Sequence, residues 1–303
     1  MSPPPTQRPL LALALRIAAV TALATMLMLV KLAGESGVEL PEIMFWRQAV
    51  TLPLILGFVL FNGGLARLRT ERMASHCWRA ATGMTGMLCN FAAAILLPLA
   101  VSTTLGFTTP LFAVLLTPLM LGEKVGPWRW AAVLIGFMGV LVIAQPGAAP
   151  ISLVGAAFGL ASGFMVAFIS FQIRDLGRTE EPIRVVFYFA LFGALMMAPT
   201  LPYNMTPHSP EQWLILLGIG LAGTAGQLLL TMSLRIGAVA SVIVMDYTGL
   251  IWATLFGWAI WDQLPPWTTW LGAPLIVAAG LIVTWRERLH ARQLSPSAAI
   301  EVD

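Results

Sequence analysis

Ten apolar stretches, each about as long as a bilayer is thick, follow one another with little polar sequence between them. They run 10–32, 43–61, 76–97, 101–121, 128–145, 151–172, 183–201, 211–231, 238–260 and 267–285. A hydrocarbon layer of about 30 Å takes roughly 20 apolar helical residues to cross. Within lipid the backbone must satisfy its own polar groups, so such stretches fold as helices. The breaks are made of turn formers: Asn62-Gly63-Gly64, Gln145-Pro146-Gly147, Pro202-Tyr203-Asn204 and Pro265-Pro266. Only Pro98 to Ala100 separates the third stretch from the fourth. Charged residues make up 10% of the chain, against about 25% in soluble domains, too few to cover a soluble fold of 303 residues. The expected class is an all-α polytopic membrane protein with ten transmembrane helices.

The basic residues orient these helices. With a cytoplasmic N-terminus (1–9) and strict alternation, 15 of the 17 Lys and Arg fall on the cytoplasmic side. Arg8, Arg16, Arg67, Arg69, Arg72, Arg79, Arg174, Arg178, Arg184 and Arg235 are among them. The exceptions, Lys31 and Arg47, lie at or just inside outer helix ends, and the outer loops carry Glu35, Glu39, Glu42, Glu211 and Asp262. That is the positive-inside pattern, which places the chain in a cytoplasmic (inner) membrane with both termini cytoplasmic. The first stretch is too long for the apolar core of a cleaved signal. Residues 286–303 are expected to be a polar, disordered cytoplasmic tail. Cys77 and Cys89 are too few and too close for a disulfide framework or a thiolate metal site.

An internal repeat underlies this order. From Ser102 it is 21 residues to Glu123 and 25 to Pro127; from Ser241 it is 21 to Asp262 and 25 to Pro266, each proline followed by tryptophan. The offset of about 139 residues equals five helices, an odd number, so the units 10–145 and 151–285 have opposite orientations. Inverted repeats give a chain two similar conformations, one open to each side.

The run Thr103-Thr104-Leu105-Gly106-Phe107-Thr108-Thr109-Pro110, the segment Leu121-Gly122-Glu123-Lys124-Val125-Gly126-Pro127 and the following Trp130 resemble the EamA family of the drug/metabolite transporter superfamily. Asp246-Tyr247-Thr248, Trp252-Ala253 and Trp261-Asp262 echo the pattern in the second half. The resemblance covers residues 10 to 285 and implies ten helices in two inverted five-helix repeats around a substrate cavity. It implies transport of small metabolites. The Asp-Tyr pair looks most like a bacterial subgroup with S-adenosylmethionine and riboflavin importers. Asp262 departs from the pattern, standing where many relatives carry Gly-Glu.

Asp246 is the residue least at home in its surroundings, a carboxylate near the middle of the ninth stretch. Such residues face protein or water and mark functional sites. On a regular helix Asp246, Leu250, Ala253 and Gly257 share a face, with small residues that admit a close neighbour. Burial disfavours the charged form, which suits a proton carrier; ionised, Asp246 pairs with a cationic cargo. The alternative is a structural tie to a neighbouring Asn, Gln or Arg. Tyr247, next to it, offers a ring to a planar cargo. Arg47 either snorkels to the outer interface or anchors a cargo carboxylate or phosphate. Asn90 and Gln227, on corresponding helices, either bind cargo or cross-link helices. Thr108, with Thr104 and Thr109, lies just before Pro110, whose missing N–H frees a carbonyl toward a cavity. Tyr188 is a further lining candidate.

The glycine stripes Gly155, Gly159, Gly163 and Gly218, Ala222, Gly226 read as helix packing, within one chain or in a homodimer. No phosphate-binding loop, His-Glu zinc pattern or nucleophile elbow occurs. No cofactor, catalytic set or nucleic-acid partner is expected. The expected partners are a small-molecule substrate and the lipid bilayer. The favoured activity is secondary transport, set against a lipid-modifying membrane enzyme and a passive channel.

Overall fold

A computed structural model describes residues 9–62, 64–121, 126–144, 152–177, 179–236 and 244–294. The Glu123 loop, the Ser241 end of the ninth stretch and the chain ends lie outside the described residues. Every regular element among the described residues is helical. In chain order they are α1 (Pro9–Glu35), α2 (Leu40–Phe61), α3 (Met73–Leu96), α4 (Leu99–Gly106), α5 (Thr109–Leu121) and α6 (Pro127–Ala144). There follow α7 (Leu153–Leu176), α8 (Pro182–Met197), the short α9 (Leu201–Asn204), α10 (Pro210–Ile236), α11 (Gly249–Trp261) and α12 (Trp267–Leu294).

Six helical stretches are long and apolar enough to cross a membrane: Leu10–Glu35, Leu40–Phe61, Leu99–Met120, Leu153–Ile173, Pro182–Asn204 and Pro210–Leu230. Shorter apolar helices run Trp130–Ile143 and Trp267–Val283. The chain is therefore a multi-pass membrane protein. α3 has the length but carries His76, Arg79 and Asn90. Pro98 separates it from α4: Leu97 is extended, and Pro98 caps the next helix. Lys31 of α1 closes the freed end, its Nζ donating to the carbonyls of Leu97 at 2.9 Å and Ala94 at 3.3 Å.

Two expectations are corrected. The tail does not begin at 286: α12 continues to Leu294, because Arg-Glu-Arg-Leu-His-Ala-Arg-Gln-Leu is a run of helix formers without glycine or proline. The stretch 238–260 is not one regular helix either. Val244–Thr248 forms a 3-10 helix, and the α-helix starts only at Gly249. α11 ends where Asp262 takes a left-handed conformation, φ 50°. The Asp262 and Gln263 amides then donate to the carbonyls of Trp258 and Gly257, both at 3.0 Å.

Packing pairs the helices across the two halves: α1 against α10, α3 against α7, α2 against α8 and α10, and α6 against α12. The glycine stripes lie in the contact of α10 with α1 and in that of α7 with the end of α3 and with α4. Gly218 and Gly226 of α10 face Leu29 and Leu23 of α1; Gly155, Gly159 and Gly163 of α7 face Leu97, Leu105 and Thr108. α6 and α12 approach backbone to backbone, where a Cβ on Gly139 would lie 2.7 Å from the Gly272 carbonyl.

Candidate functional site

A broken helix and a 3-10 turn meet in the bundle. α4 stops at Gly106 and α5 restarts at Thr109, with Pro110 in its first turn. The carbonyls loosened at this break are taken by local hydroxyls: Thr108 donates to Leu105 at 2.6 Å and Thr109 to Gly106 at 2.8 Å. Beside α4 lies α11 with its 3-10 lead-in. The break and the 3-10 turn touch directly, the rings of Phe107 and Tyr247 meeting edge to face at 4.9 Å. Interrupted helices at membrane depth are tolerated where they line a cavity or are buried in protein.

Asp246 stands on the 3-10 turn and has a full counter-ion. Arg16 of α1 donates from Nε to Oδ1 at 2.6 Å and from Nη2 to Oδ2 at 2.5 Å. This is the parallel two-bond geometry that makes Arg–carboxylate pairs strong. The guanidinium side is deeply buried, with 6% of the Arg16 side chain exposed, whereas 37% of the Asp246 side chain is open. The carboxylate therefore presents an accessible edge while held from behind. Sequence reasoning counted Arg16 only as a cytoplasmic charge. Its place inside the first apolar stretch, opposite a lone aspartate in another, is the signal that could have paired them.

A second charged group is as deeply buried as Arg16. Arg47 of α2 and Arg79 of α3 are 5% and 6% exposed. They flank the ring of Phe189 on α8, with guanidinium carbons 5.5 and 4.7 Å from its centroid. Arg47 donates to Gln48 Oε1 at 2.7 Å. Its Nε, and Nε and Nη1 of Arg79, are buried without a hydrogen-bond partner. Placing an ion in such surroundings costs several kcal/mol when no opposite charge compensates it. Nearby polar groups bond to each other: Thr51 and Thr224 hydroxyls lie 2.8 Å apart. Arg47 thus turns into the bundle and does not snorkel, and Arg79, read as a cytoplasmic charge, joins it.

The other expected residues divide. Tyr247 is half-buried, its hydroxyl seated over Gly280 of α12. Asn90 is half-buried on α3, and Gln227 half-buried on α10. Thr108 is fully buried against Gly163 and spends its hydroxyl on Leu105, so it braces the helix break and does not face open space. Tyr188 is likewise engaged, donating to the Leu68 carbonyl at 2.8 Å with its ring 4.7 Å from His76.

The bundle is fastened at both ends. At the end where α2 meets α3, Arg67 pairs with Glu181 at 2.7 Å, Arg72 with Asp175, and Arg184 with Glu180 at 2.7 Å. Burial works to raise the Glu180 pKa, but hydrogen bonds from Arg184 and Thr70 and the charges of Arg184 and His76 outweigh it, holding the carboxyl below its ordinary value. At the opposite end His208 Nε2 meets Glu42 Oε1 at 2.5 Å, and Trp261 donates to Glu35. Among the described residues no group of His, Cys, Asp and Glu is arranged to hold a metal ion.

The sequence pattern of the EamA-like transporter family matches the chain twice, over residues 10–145 and 153–285. The pseudopaline exporter CntI of Pseudomonas aeruginosa is 30% identical over 252 residues, covering 82% of this chain and 88% of that protein. A riboflavin transporter of Vibrio cholerae is 30% identical over 257 residues, 82% of this chain and 83% of that one. An S-adenosylmethionine uptake transporter of Rickettsia bellii is 25% identical over 256 residues, 82% of this chain and 84% of that one. A crystal structure at 22% identity shares the fold, with a TM-score of 0.58 over 92% of this chain and 98% of that one. One family pattern thus runs through both halves of a helical bundle, and the similarity to transporters extends over most of its length: the chain belongs to the EamA-like transporter family.

Proposed function

We propose that this protein is a secondary transporter that carries a small organic metabolite across the cytoplasmic membrane by alternating access. Ten spans form two inverted five-helix repeats, with α4–α5 together making the fourth and the 3-10 turn with α11 the ninth. The observation that carries this reading is the adjacency of a helix break and a 3-10 turn at matched places: Phe107 at the break meets the ring of Tyr247, and Phe107 and Asp246 stand 139 residues apart in sequence. Discontinuous helices in corresponding halves are where secondary transporters build their sites. The packing pairs support it too. Numbered as spans, contact of one with eight answers contact of three with six, and contact of two with eight answers that of seven with three.

Both termini are cytoplasmic in this arrangement. Protonation of Asp246, or a cationic group of the cargo competing for it, breaks the bond to Arg16 and frees α1 from the ninth span. That supplies the differential interaction a conformational switch requires. The named relatives handle a vitamin, a nucleoside-linked amino acid and an exported metabolite, which supports a vitamin-like, nucleoside-like or amino-acid-derived cargo. The test is counterflow in sealed vesicles screened with labelled riboflavin, S-adenosylmethionine and pooled metabolites. Saturable exchange that Asp246→Asn abolishes or shifts in pH is expected. Non-saturating flux indicates a channel, and no exchange under any pH gradient sinks the transporter reading.

A further inference from the structure

We infer that Arg47 and Arg79 form a binding site for an oxyanion, a carboxylate or phosphate group carried by the cargo. The inference rests on the transporter reading only in calling the bound molecule cargo. α2 and α3 are consecutive antiparallel helices, so their N-terminal ends lie at opposite ends of the bundle. Arg47 is seven residues from the start of α2 and Arg79 six from the start of α3. At 1.5 Å per residue each is about 10 Å deep, so the two long side chains approach the middle from opposite directions. Both reach the same ring, Phe189.

Among the described residues neither guanidinium has a carboxylate partner. The Arg79 guanidinium makes no hydrogen bond there, and that of Arg47 makes one, to the neutral Gln48. Glu42 of α2 is turned to His208 at 2.5 Å and Trp46 at 3.1 Å through Oε1, and Glu180, in the turn before α8, to Arg184 and Thr70, both at 2.7 Å. The surrounding helices are pared down to seat the cations. A side chain on Gly83 would collide with Arg79 and Phe189, and one on Gly223 would press on Arg47 Nε at 3.2 Å.

Two buried cations facing one ring repel each other, and only an anion settles them. The planar, forked guanidinium matches a carboxylate or phosphate in two parallel bonds. The Phe189 ring, which both guanidiniums approach, fixes where the two forks lie. This site differs from Asp246, whose charge is already met by Arg16. A molecule reaching both would carry an acidic group at one end and a cationic or hydrogen-bonding group at the other.

The test uses the full-length protein, purified in a neutral detergent and freed of anionic lipid. Thermal unfolding is followed against inorganic phosphate and acetate replacing chloride at constant ionic strength. A saturable rise in Tm is expected, with half-saturation weakened at least tenfold in Arg79→Gln and Arg47→Gln and less in Arg79→Lys. Should the glutamine variants not fold, the wild-type protein decides: phosphate is expected to slow phenylglyoxal modification of Arg79 and Arg47, read by mass spectrometry. No saturable shift and no protection overturn the site, and a shift given only by phosphatidylglycerol overturns its assignment to cargo. Anion binding without any solute counterflow leaves the site standing and removes the transporter. Counterflow of a solute lacking an acidic group, unchanged in Arg79→Gln, does the reverse.

Discussion

Arg16 and Asp246 lie 230 residues apart in the chain and meet through two hydrogen bonds, one to each carboxylate oxygen. The pair joins the first helix to the turn before α11, and each partner alone is a misplaced charge. Asp246→Asn therefore leaves a guanidinium buried without a counter-ion. A stability loss of about 3 kcal/mol is expected, the lower end for breaking a buried pair because Asp246 is partly open. The double variant Arg16→Met, Asp246→Leu should recover most of that stability but no transport. Thermal unfolding and counterflow, measured on the same preparations, separate the structural role from the functional one.

Gly139 and Gly272 set the spacing of α6 and α12. A Cβ on Gly139 meets backbone, the Gly272 carbonyl at 2.7 Å, and backbone cannot swing aside. Gly139→Ala is expected to destabilise by about 1–3 kcal/mol, as overpacking does. Gly57 of α2 has nothing within 4 Å of the same position. Gly57→Ala is expected to stabilise by about 0.5–1 kcal/mol through the unfolded chain and helix propensity. Equal effects of the two substitutions on Tm would contradict this account of the crossing.

Glu180 ties the turn before α8 to Thr70 and Arg184. Its carboxyl is held below the ordinary value of 4.5 despite burial, by those hydrogen bonds and by the charges of Arg184 and His76. A depressed folded pKa contributes stability above the unfolded value and loses it as pH falls through the folded one. The wild-type protein should therefore lose Tm on acidification below about pH 4.5 more steeply than Glu180→Gln. At neutral pH the order is reversed in cost, the glutamine variant being the less stable of the two. Parallel curves would remove Glu180 from the acid response.

Asp262 ends α11 in a conformation that favours glycine. Asp262→Gly is expected to raise stability by up to about 1 kcal/mol, and Asp262→Val to lower it by about 1–2 kcal/mol. Transport should be unchanged in Asp262→Gly if the residue serves the backbone. A transport defect in that variant would assign its carboxylate a role at the membrane surface.

Much of this was legible from residues alone. Segment lengths located the six long apolar helices, and the carbonyl expected to be freed by Pro110 falls at the break between α4 and α5, where Thr109 takes it up. The helix-packing role of Gly155, Gly159 and Gly163 followed from their spacing. What stayed hidden was direction. Arg16 and Arg79 satisfy a charge-counting rule wherever their guanidiniums point, since a side chain of that length near a helix end can reach either water or the bundle. Only the packing of α1 and α3 decides between them. The 3-10 geometry of Val244–Thr248 was equally silent, for the residues are apolar enough to suit any helix. Asp246 on that turn reaches Arg16 of α1, the helix whose Leu27 and Met28 pack beside the Ala253 cluster. Tyr188 and Thr108 show the converse: polar groups at membrane depth that the fold consumes internally.

The hydroxyl of Tyr247 occupies the space where a side chain on Gly280 would stand. The two positions, on neighbouring spans, share a single volume that can be filled from one side only. A change at one position therefore bears on the other: alanine at 280 requires the Tyr247 hydroxyl to move aside or the residue at 247 to shorten. Across related sequences these two positions should trade size, and that trade can be looked for without making any protein.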